Sequence, residues 1–352
     1  MGEAIAIVHP DTGWTRHPEL LKGNRYEWGA QPLSRNFRRG EEHEGAKDPL
    51  RRHWELHKPS HGTAVASVMI GGFGPDGSGG TDGSTPLLPE YEELADADFA
   101  SGVAPLAHVI PQRVVDHVVL TSADSVALAR AIMLATRVSG GQQEVGVISI
   151  SIGGPMKGTP ARLKLSRALR DARRSGIITC AAAGQFARGA SRILPVAFPG
   201  RSVHTICAAA CDHEYRMLPD GFYGSEVDIT VPGAGIAVAR TAPRASVTDP
   251  PEYGYDRFAE GTSYSTGMLA GACALWLARH GRAELIARYG KPLMLDAFKL
   301  SVFRSCDRRG GDWDRKHGHG VLDVTELLRP ELDDLPTRRE VQVLSDAIGW
   351  GP

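Results

Sequence analysis

Short apolar runs rich in β-branched residues alternate along the chain with longer segments whose apolar positions recur every three or four residues. The short runs, at residues 4–8, 109–115, 145–152, 177–183, 203–210 and 227–231, predict strands. Residues 122–138 and 160–175 have the period of amphipathic helices. Because buried strands that alternate with helices are typical of a parallel sheet covered on both faces, the pattern predicts an α/β fold.

The rest of the chain fits one domain over residues 1–330 and a C-terminal tail, residues 331–352. Residues 31–59 carry many charges of both signs and contain prolines, which favours a charged insertion over a second domain. Residues 71–100 open with a stretch rich in Gly, Asp and Ser that cannot pack a core, so they are predicted to form a surface loop region.

Composition and charge exclude several classes of partner. Forty Lys and Arg against forty-one Asp and Glu leave a net charge of −1, so the chain has no basic excess with which to bind nucleic acid. The longest apolar stretch, residues 267–278, is shorter than the roughly 20 residues that cross a membrane. No secretory signal is visible, and we therefore expect a cytoplasmic protein.

The cysteines favour the same compartment. Their number is odd and most lie in apolar runs, which favours free thiols in the core over a disulfide framework. The pair at 207 and 211 has no nearby partners to complete a metal site, and we expect it to pack in the core. The five residues are Cys180, Cys207, Cys211, Cys273 and Cys306.

Three short motifs contain residue types that together can perform nucleophilic catalysis. Asp11 opens an Asp-Thr-Gly motif directly after the first predicted strand, and His61 opens a His-Gly-Thr-Ala motif at the start of a small-residue helix. Ser263 lies in a Gly-Thr-Ser-Tyr-Ser motif that opens another such helix. Each motif alone fits a turn or a helix cap. A serine hydroxyl, however, is a weak nucleophile until a base removes its proton, and the order Asp, His, Ser supplies that grouping.

At these residues the sequence resembles the subtilisin-like (subtilase) serine peptidase family, whose members carry the three residue types in this order. The resemblance spans residues 4 to about 328. Further family motifs follow in the same order: G-V-A-P from Gly102, I-S-I-S-I-G-G from Ile148, A-A-G-Q from Ala182, F-P from Phe198 and G-H-G-V-L-D from Gly318. It implies a subtilisin-like three-layer α/β fold, with a mainly parallel central sheet flanked by helices.

The resemblance also implies roles for the matched residues in a serine endopeptidase. Ser263 would be the nucleophile, His61 the general base, and Asp11 the group that orients the imidazole. The side chain of Gln185 would hold the oxyanion together with the backbone N–H of Ser263. This chemistry requires no cofactor. A peptide or protein would be the substrate.

The same motifs predict where an extended substrate would bind. Its main chain would pair with the edge formed by Ser151, Ile152, Gly153 and Gly154. The opposite wall of the primary specificity pocket would be Ala182, Ala183 and Gly184, with Ala197 at its base. We expect a modest apolar side chain to fit this pocket.

Two positions depart from the family pattern and keep other functions open. Gln185 stands where the family usually has Asn, and its extra methylene changes the reach of the amide donor. Gly267 stands where the family has Pro, which predicts a roomier acyl-enzyme site that admits amines. The alternatives are therefore a weak or inactive peptide-binding relative and a peptide ligase or macrocyclase.

Regulation and metal binding remain open at this stage. Because Asp11 lies close to the start of the sequence, we expect no prodomain, and a regulatory partner protein is one other means of restraint. We also hypothesise that residues 31–59 or 71–84 partly cover the cleft or recruit a substrate. Residues 76–82 offer carboxylates without a clear calcium-loop pattern, so structural calcium is left undecided. His53, His57 and His61 have helical spacing, but Pro59 interrupts it and disfavours zinc.

Overall fold

The computed structural model describes residues 5–21, 33–50, 58–71, 102–138, 145–155, 159–185, 196–244, 252–308 and 317–348. The strands in these ranges are β1 (Ala6–Asp11), β2 (His108–Arg113), β3 (Val145–Ile150), β4 (Ile178–Ala182), β5 (Ile206–Cys211), β6 (Ile229–Pro232), β7 (Ile236–Thr241) and β8 (Tyr253–Ala259).

The α-helices of the described ranges are α1 (Pro18–Leu21), α2 (His61–Ile70), α3 (Ser122–Val138), α4 (Pro160–Arg174), α5 (Thr262–His280), α6 (Arg282–Tyr289), α7 (Met294–Ser305), α8 (Val324–Leu328) and α9 (Arg338–Ala347). Short 3₁₀ segments lie at Glu42–Glu44, Lys291–Leu293 and Leu332–Asp334. Among the helices in these ranges, none has the length and apolar character needed to span a bilayer.

The central sheet confirms the predicted α/β class. Its six strands are all parallel, in the order β2-β1-β3-β4-β5-β6, and they correspond to the six predicted runs. β1 extends three residues beyond its predicted end, so Asp11 is its last residue. β7 and β8 form a separate antiparallel pair that the sequence reasoning missed, because the second strand is mostly half-buried or exposed and has no continuous apolar run.

Helices cover both faces of this sheet and give the predicted three layers. Successive strand residues point to opposite faces, and the adjacent residues Ile7 and Val8 of β1 accordingly belong to different core clusters. Ile7 packs in the cluster formed with α2, α5 and α7. Val8 packs in the cluster formed with α3 and α4. Asp11 lies four residues after Ile7, so it projects toward the α2 and α5 face.

The charged insertion packs closely against the sheet over the residues that the structure describes. Leu33 and Phe37 are buried in the cluster that contains α3 and α4. Glu41 accepts a hydrogen bond from the buried guanidinium of Arg113, with an N–O distance of 2.6 Å. Residues 51–57 lie outside the described ranges, as does the predicted surface loop after Gly71.

The predicted C-terminal tail is helical and shares the main core. Thr337 caps α9, because its hydroxyl accepts from the Glu340 N–H while the Glu340 carboxylate accepts from the Thr337 N–H. Val341 of α9 is fully buried in the cluster that contains α5 and α7. Residues up to 348 therefore contribute to the stability of the domain.

The cysteines agree with the prediction of core thiols. All five are free; four are buried and Cys306 is half-buried. Burial raises the pKa of Cys207 well above its usual value, so this thiol stays protonated. A protonated thiol is a poor metal ligand, which supports a packing role for the pair on β5.

We predict that the ion pair between α4 and α7 controls the stability of the domain. Arg173 and Asp296 are both fully buried and joined by a short hydrogen bond. Asp296→Ala would leave the Arg173 charge buried without its carboxylate, so the free energy of unfolding should fall by about 3–5 kcal/mol. Urea denaturation measures this loss.

The exposed pair of Arg279 with Glu331 provides the matched control. Glu331→Ala should change the free energy of unfolding by less than about 1 kcal/mol. Equal effects of the two substitutions would contradict the prediction.

Candidate active site

The site is built around the carboxylate of Asp11, which is fully buried at the end of β1. Its Oδ1 accepts hydrogen bonds from the Thr12 N–H and from Nδ1 of His61, each at 2.7 Å. Burial acts to raise the pKa of Asp11, but the charge and hydrogen bond of His61, aided by His9 and Thr12, outweigh it and lower the pKa. Asp11 is therefore ionised and holds the proton of His61 on Nδ1.

The turn before α2 fixes the position of His61, the first residue of that helix. The preceding residue, Ser60, has a left-handed backbone (φ 64°), which is strained for a side chain other than glycine. Its N–H donates to Oδ2 of Asp48 at 2.8 Å, and its Oγ accepts from the Thr241 N–H at 2.9 Å. These two bonds hold the strained turn and hence the imidazole.

Ser263 is the second residue of α5 and is tied to the edge that follows β3. Its Oγ–H donates to the carbonyl oxygen of Ser151 at 3.0 Å, and the Ser151 hydroxyl donates to the carbonyl oxygen of Ser263, also at 3.0 Å. Among the hydrogen bonds of the described residues, none joins Ser263 to His61. Sites without a bound substrate often show such loose alignment, which tightens when substrate binds.

Gln185 also contacts the first turn of α5. Its Oε1 accepts the Thr262 N–H at 2.8 Å, so the longer side chain reaches the residue just before Ser263. This bond holds the amide oxygen, which is an acceptor. The Nε2 amino group is the donor of the side chain and can bind a ligand. The extra methylene thus ties Gln185 to the helix that carries Ser263.

Three of the predicted pocket residues meet at one point. A Cβ atom added to Gly153 would lie 3.0 Å from Cβ of Ala197, and one added to Gly184 would lie 3.1 Å from the same atom. The added atom on Gly184 would also lie 2.7 Å from the ring of Phe222, a neighbour that the sequence reasoning missed. These residues are therefore closely packed, and a side chain at either glycine would crowd Ala197.

The other predicted pocket residues contribute through position rather than through exposed side chains. Ile152 and Ala183 are buried in two separate core clusters, and Ala182 is the buried last residue of β4. The N–H of Ala183 donates to Ala208, and its carbonyl oxygen accepts from Ala197. Ala183 thus holds the wall to which Ala197 is attached.

The edge predicted to receive substrate is already paired within the chain. Gly153 donates its N–H to Val118 at 3.1 Å and accepts the Leu120 N–H at 2.9 Å. The next residue, Gly154, exchanges both of its main-chain bonds with Phe198. The segment Val118–Leu120 therefore occupies the position beside Gly153 that an extended substrate would need.

A second buried carboxylate, which the sequence reasoning missed, supports the turn that carries His61. Asp48 accepts three hydrogen bonds at 2.8 Å, from the hydroxyl of Thr12 and from the N–H groups of Leu50 and Ser60. The Thr12 hydroxyl in turn accepts the Gly62 N–H at 3.1 Å. Burial raises the pKa of Asp48 to about 6 despite these donors. Nothing in the charged run distinguishes this residue from its acidic neighbours.

The surroundings of Gly267 differ from the roomier site that was expected there. A Cβ atom at this position would lie 2.7 Å from Val68 and 3.1 Å from Val65, both on α2. The glycine therefore allows α5 to pack closely against the helix that carries His61. The two valines fill the space that was expected to widen the acyl-enzyme site for an amine.

The metal hypotheses fall largely outside the described residues. This applies to His53 and His57 of the zinc hypothesis and to residues 76–82 of the calcium hypothesis. Within the ranges that the structure describes, no three His, Cys, Asp or Glu side chains are grouped to hold an ion.

Comparison with known sequences gives a family match along most of the chain. A sequence model described as the subtilase family matches residues 2–321. Subtilisin NAT of Bacillus subtilis subsp. natto is 31% identical over 134 residues, which are 38% of this chain and 31% of that protein. The subtilisin of Bacillus pumilus is also 31% identical over 134 residues, which are 43% of its length. The matched stretch thus spans less than half of each of these two relatives.

Solved structures share the fold over nearly the whole chain. A protease from Pseudoalteromonas arctica PAMC 21717 superposes with a TM-score of 0.66 at 19% identity, covering 93% of this chain and 90% of that one. MycP1 with its N-terminal propeptide removed superposes with a TM-score of 0.64 at 17% identity, covering 95% and 93% of the two chains.

We predict that Asp48 makes stability depend on pH in a defined direction. Because its pKa is raised to about 6 in the folded protein, the native state keeps a proton that the unfolded state has lost. The stabilising contribution is therefore present at low pH and is lost as pH rises from about 4 to about 6. Asp48→Asn cannot titrate and serves as the reference.

Urea denaturation of both proteins across this range measures the effect. The free energy of unfolding of the wild type, relative to that of Asp48→Asn, should fall by about 2 kcal/mol as pH rises from about 4 to about 7. A difference that stays constant or rises over this range would contradict the prediction.

Proposed function

Because this chain belongs to the subtilase family, we propose that it is a serine endopeptidase that cleaves peptide bonds through an acyl-enzyme on Ser263. The observation that carries the proposal is the 2.7 Å hydrogen bond between the buried carboxylate of Asp11 and Nδ1 of His61. A carboxylate bound to Nδ1 directs the lone pair of Nε2 outward, where it can accept a proton.

The reaction begins when the Ser263 hydroxyl leaves the carbonyl oxygen of Ser151 and turns to Nε2 of His61. As Oγ attacks the substrate carbonyl carbon, His61 takes the hydroxyl proton and Asp11 stabilises the resulting imidazolium. His61 then gives this proton to the leaving amine as the peptide C–N bond breaks. Water attacks the ester by the same route, which releases the acid and restores Ser263.

Two donors would stabilise the negative charge on the attacked carbonyl oxygen. The Ser263 N–H lies at the N-terminus of α5, where backbone donors lack intrahelical partners. The Nε2 amino group of Gln185 is the second donor, held in place through the bond of Oε1 to Thr262. Donors fixed before the reaction stabilise charge without reorganising.

The substrate would be an extended peptide segment with a modest apolar side chain at the cleaved residue. That side chain would approach Gly153 and Gly184, where a Cβ atom on either glycine would crowd Cβ of Ala197. Upstream of the cleaved residue, the substrate main chain would have to replace residues 118–120 as the hydrogen-bond partner of Gly153. Substrates that are already unfolded would make this exchange most readily.

We further propose a cytoplasmic location, supported by the five free cysteines. The proposed chemistry needs no cofactor, and the partner it requires is a peptide or protein substrate. A regulatory partner protein would act where substrate meets the paired edge at Gly153, since that contact must open before cleavage.

A fluorophosphonate probe tests the proposed nucleophile. The wild type should be labelled at Ser263, as located by mass spectrometry, and Ser263→Ala should not be labelled. Ser265→Ala is the matched control, because the buried Ser265 hydroxyl donates only to the carbonyls of Val231 and Pro232. Absence of labelling in folded wild type would contradict the proposal and favour a peptide-binding function.

We predict that Gln185 contributes to turnover as a donor. Gln185→Leu should lower kcat by a factor on the order of 10²–10³ and leave KM nearly unchanged, because the donor acts on charge that develops in the transition state. Steady-state kinetics with an activated ester measures this loss.

Gln185→Glu separates donation from the structural bond to Thr262. The glutamate can still accept the Thr262 N–H but cannot donate, so its kcat should fall at least as far as that of Gln185→Leu. Recovery of kcat in Gln185→Glu would show that the bond to Thr262, rather than donation to the oxyanion, is what matters.

A further inference from the structure

His9 is a buried histidine that the proposed reaction does not use, although it lies against the groups that do. It precedes Asp11 by two residues on β1, so the two side chains point to the same face of the sheet. Its ring is fully enclosed, with 0% of the side chain exposed. Nδ1 lies 3.3 Å from the carbonyl oxygen of Ser149, and Nε2 lies 3.2 Å from that of Gly62.

These contacts join the strand of Asp11 and the helix of His61 to β3, the strand that leads to Ser151. Gly62 follows His61 on α2, and Ser149 lies two residues before Ser151, which binds Ser263. The imidazole of His9 therefore lies between the strand of Asp11, the first turn of the His61 helix and the strand that leads to Ser151.

The unshared oxygen of Asp11 gives His9 a chemical role. Oδ1 accepts two hydrogen bonds, whereas the buried Oδ2 has no hydrogen-bond partner within the described ranges. Nε2 of His9 lies 3.8 Å from this Oδ2. A buried carboxylate oxygen without a donor is costly, and a nearby N–H dipole reduces that cost.

The surrounding oxygens decide which nitrogen of His9 carries its proton. Nε2 faces two oxygens, one of them on a carboxylate, whereas Nδ1 faces a single carbonyl oxygen. A lone pair on Nε2 would point toward negative charge, so the neutral ring favours the proton on Nε2. Burial lowers the pKa of His9. The negative charge of Asp11 and the two carbonyl oxygens raise this pKa by less, so the ring stays neutral.

We propose that His9 is a positioning residue for Asp11: its neutral ring donates Nε2–H to the carbonyl oxygen of Gly62, and the positive edge of this N–H, 3.8 Å from Oδ2, holds the carboxylate in place and shares its charge. This inference rests on the proposed function, in which Asp11 orients His61. In a variant that lacks the His9 N–H, the Asp11 carboxylate would keep more of its negative charge. The carboxylate would then attract a proton on His61 more strongly. His9 thus sets the pH at which the general base becomes free.

Other titratable or charged groups lie close to His9 and Asp11, and the test must separate the effect of His9 from theirs. His61 approaches from α2, and Asp48 approaches through the Thr12 hydroxyl. On α5, burial raises the pKa of the Tyr264 phenol, with a smaller contribution from Asp11, and Arg240 of β7 donates to the phenol oxygen. All of these groups are the same in the wild type and in His9 variants, so a difference between the two reports on His9.

The pH dependence of kcat/KM for an activated ester tests the role in the full chain. His9→Leu and His9→Met remove the polar edge, and the acid limb should move to higher pH by about 0.5–1 unit. His9→Gln retains an amide N–H near the position of Nε2, and its acid limb should stay within about 0.2 unit of the wild type.

A role in packing alone would give a different result. If His9 only fills the core, its substitution would lower thermal stability without moving the acid limb of the kcat/KM profile. His280→Leu is the matched control, since His280 is a buried histidine at the other end of α5 from Ser263. An unmoved limb in folded His9→Leu or His9→Met, or the same shift in His9→Gln, would overturn the proposal.

A measurement on the wild type needs neither variants nor turnover. Nitrogen-15 NMR of histidine-labelled protein at pH 7 should show His9 neutral, with its proton on Nε2. A proton on Nδ1, or on both nitrogens, would overturn the proposal. Because this signal does not depend on ester hydrolysis, it distinguishes failure of the His9 inference from failure of the proposed peptidase function.

Discussion

The buried charge of Asp11 is the constraint around which the rest of the site is arranged. A carboxylate removed from water is tolerated only when polar groups surround it, and those around Asp11 come from β1, from the residue after it and from α2. Thr12 supplies a backbone N–H, His61 supplies Nδ1 from the start of α2, and His9 lies against the second oxygen. The parallel sheet brings the strand end and the helix starts to one edge, where these donors converge.

The sequence allowed the fold to be predicted for physical reasons, because buried parallel strands have continuous apolar runs. Asp11, His61 and Ser263 each lie in a short motif next to such a strand or a helix start, and the family resemblance supplied their proposed roles. Asp48 gave no comparable signal, because its role depends on a turn that folds back onto Thr12. His9 could have been noticed as a polar residue on the buried face of β1. The pairing of β7 with β8 could not have been predicted, because β8 has no regular alternation of apolar and polar residues.

The paired edge at Gly153 changes how binding energy would be used. A strand that adds to an open edge gains the full set of new main-chain hydrogen bonds, whereas one that displaces Val118–Leu120 gains only the difference between two similar sets. Under the proposed function, discrimination would then have to come from other contacts, such as those of a substrate side chain near Gly153, Gly184 and Ala197. The reciprocal hydroxyl bonds of Ser151 and Ser263 add a second interaction that must break before attack.

The position of Ser263 on α5 also has a consequence for the synthesis of the protein. This helix follows all six parallel strands in the chain, and its buried residues Leu269, Ala270 and Trp276 complete the main core. A growing chain that has not yet produced α5 lacks both Ser263, the proposed nucleophile, and the centre of its own hydrophobic interior. Under the proposed function, the capacity to react and the completed fold would arise together, so an unfinished molecule would have no means of cutting its neighbours.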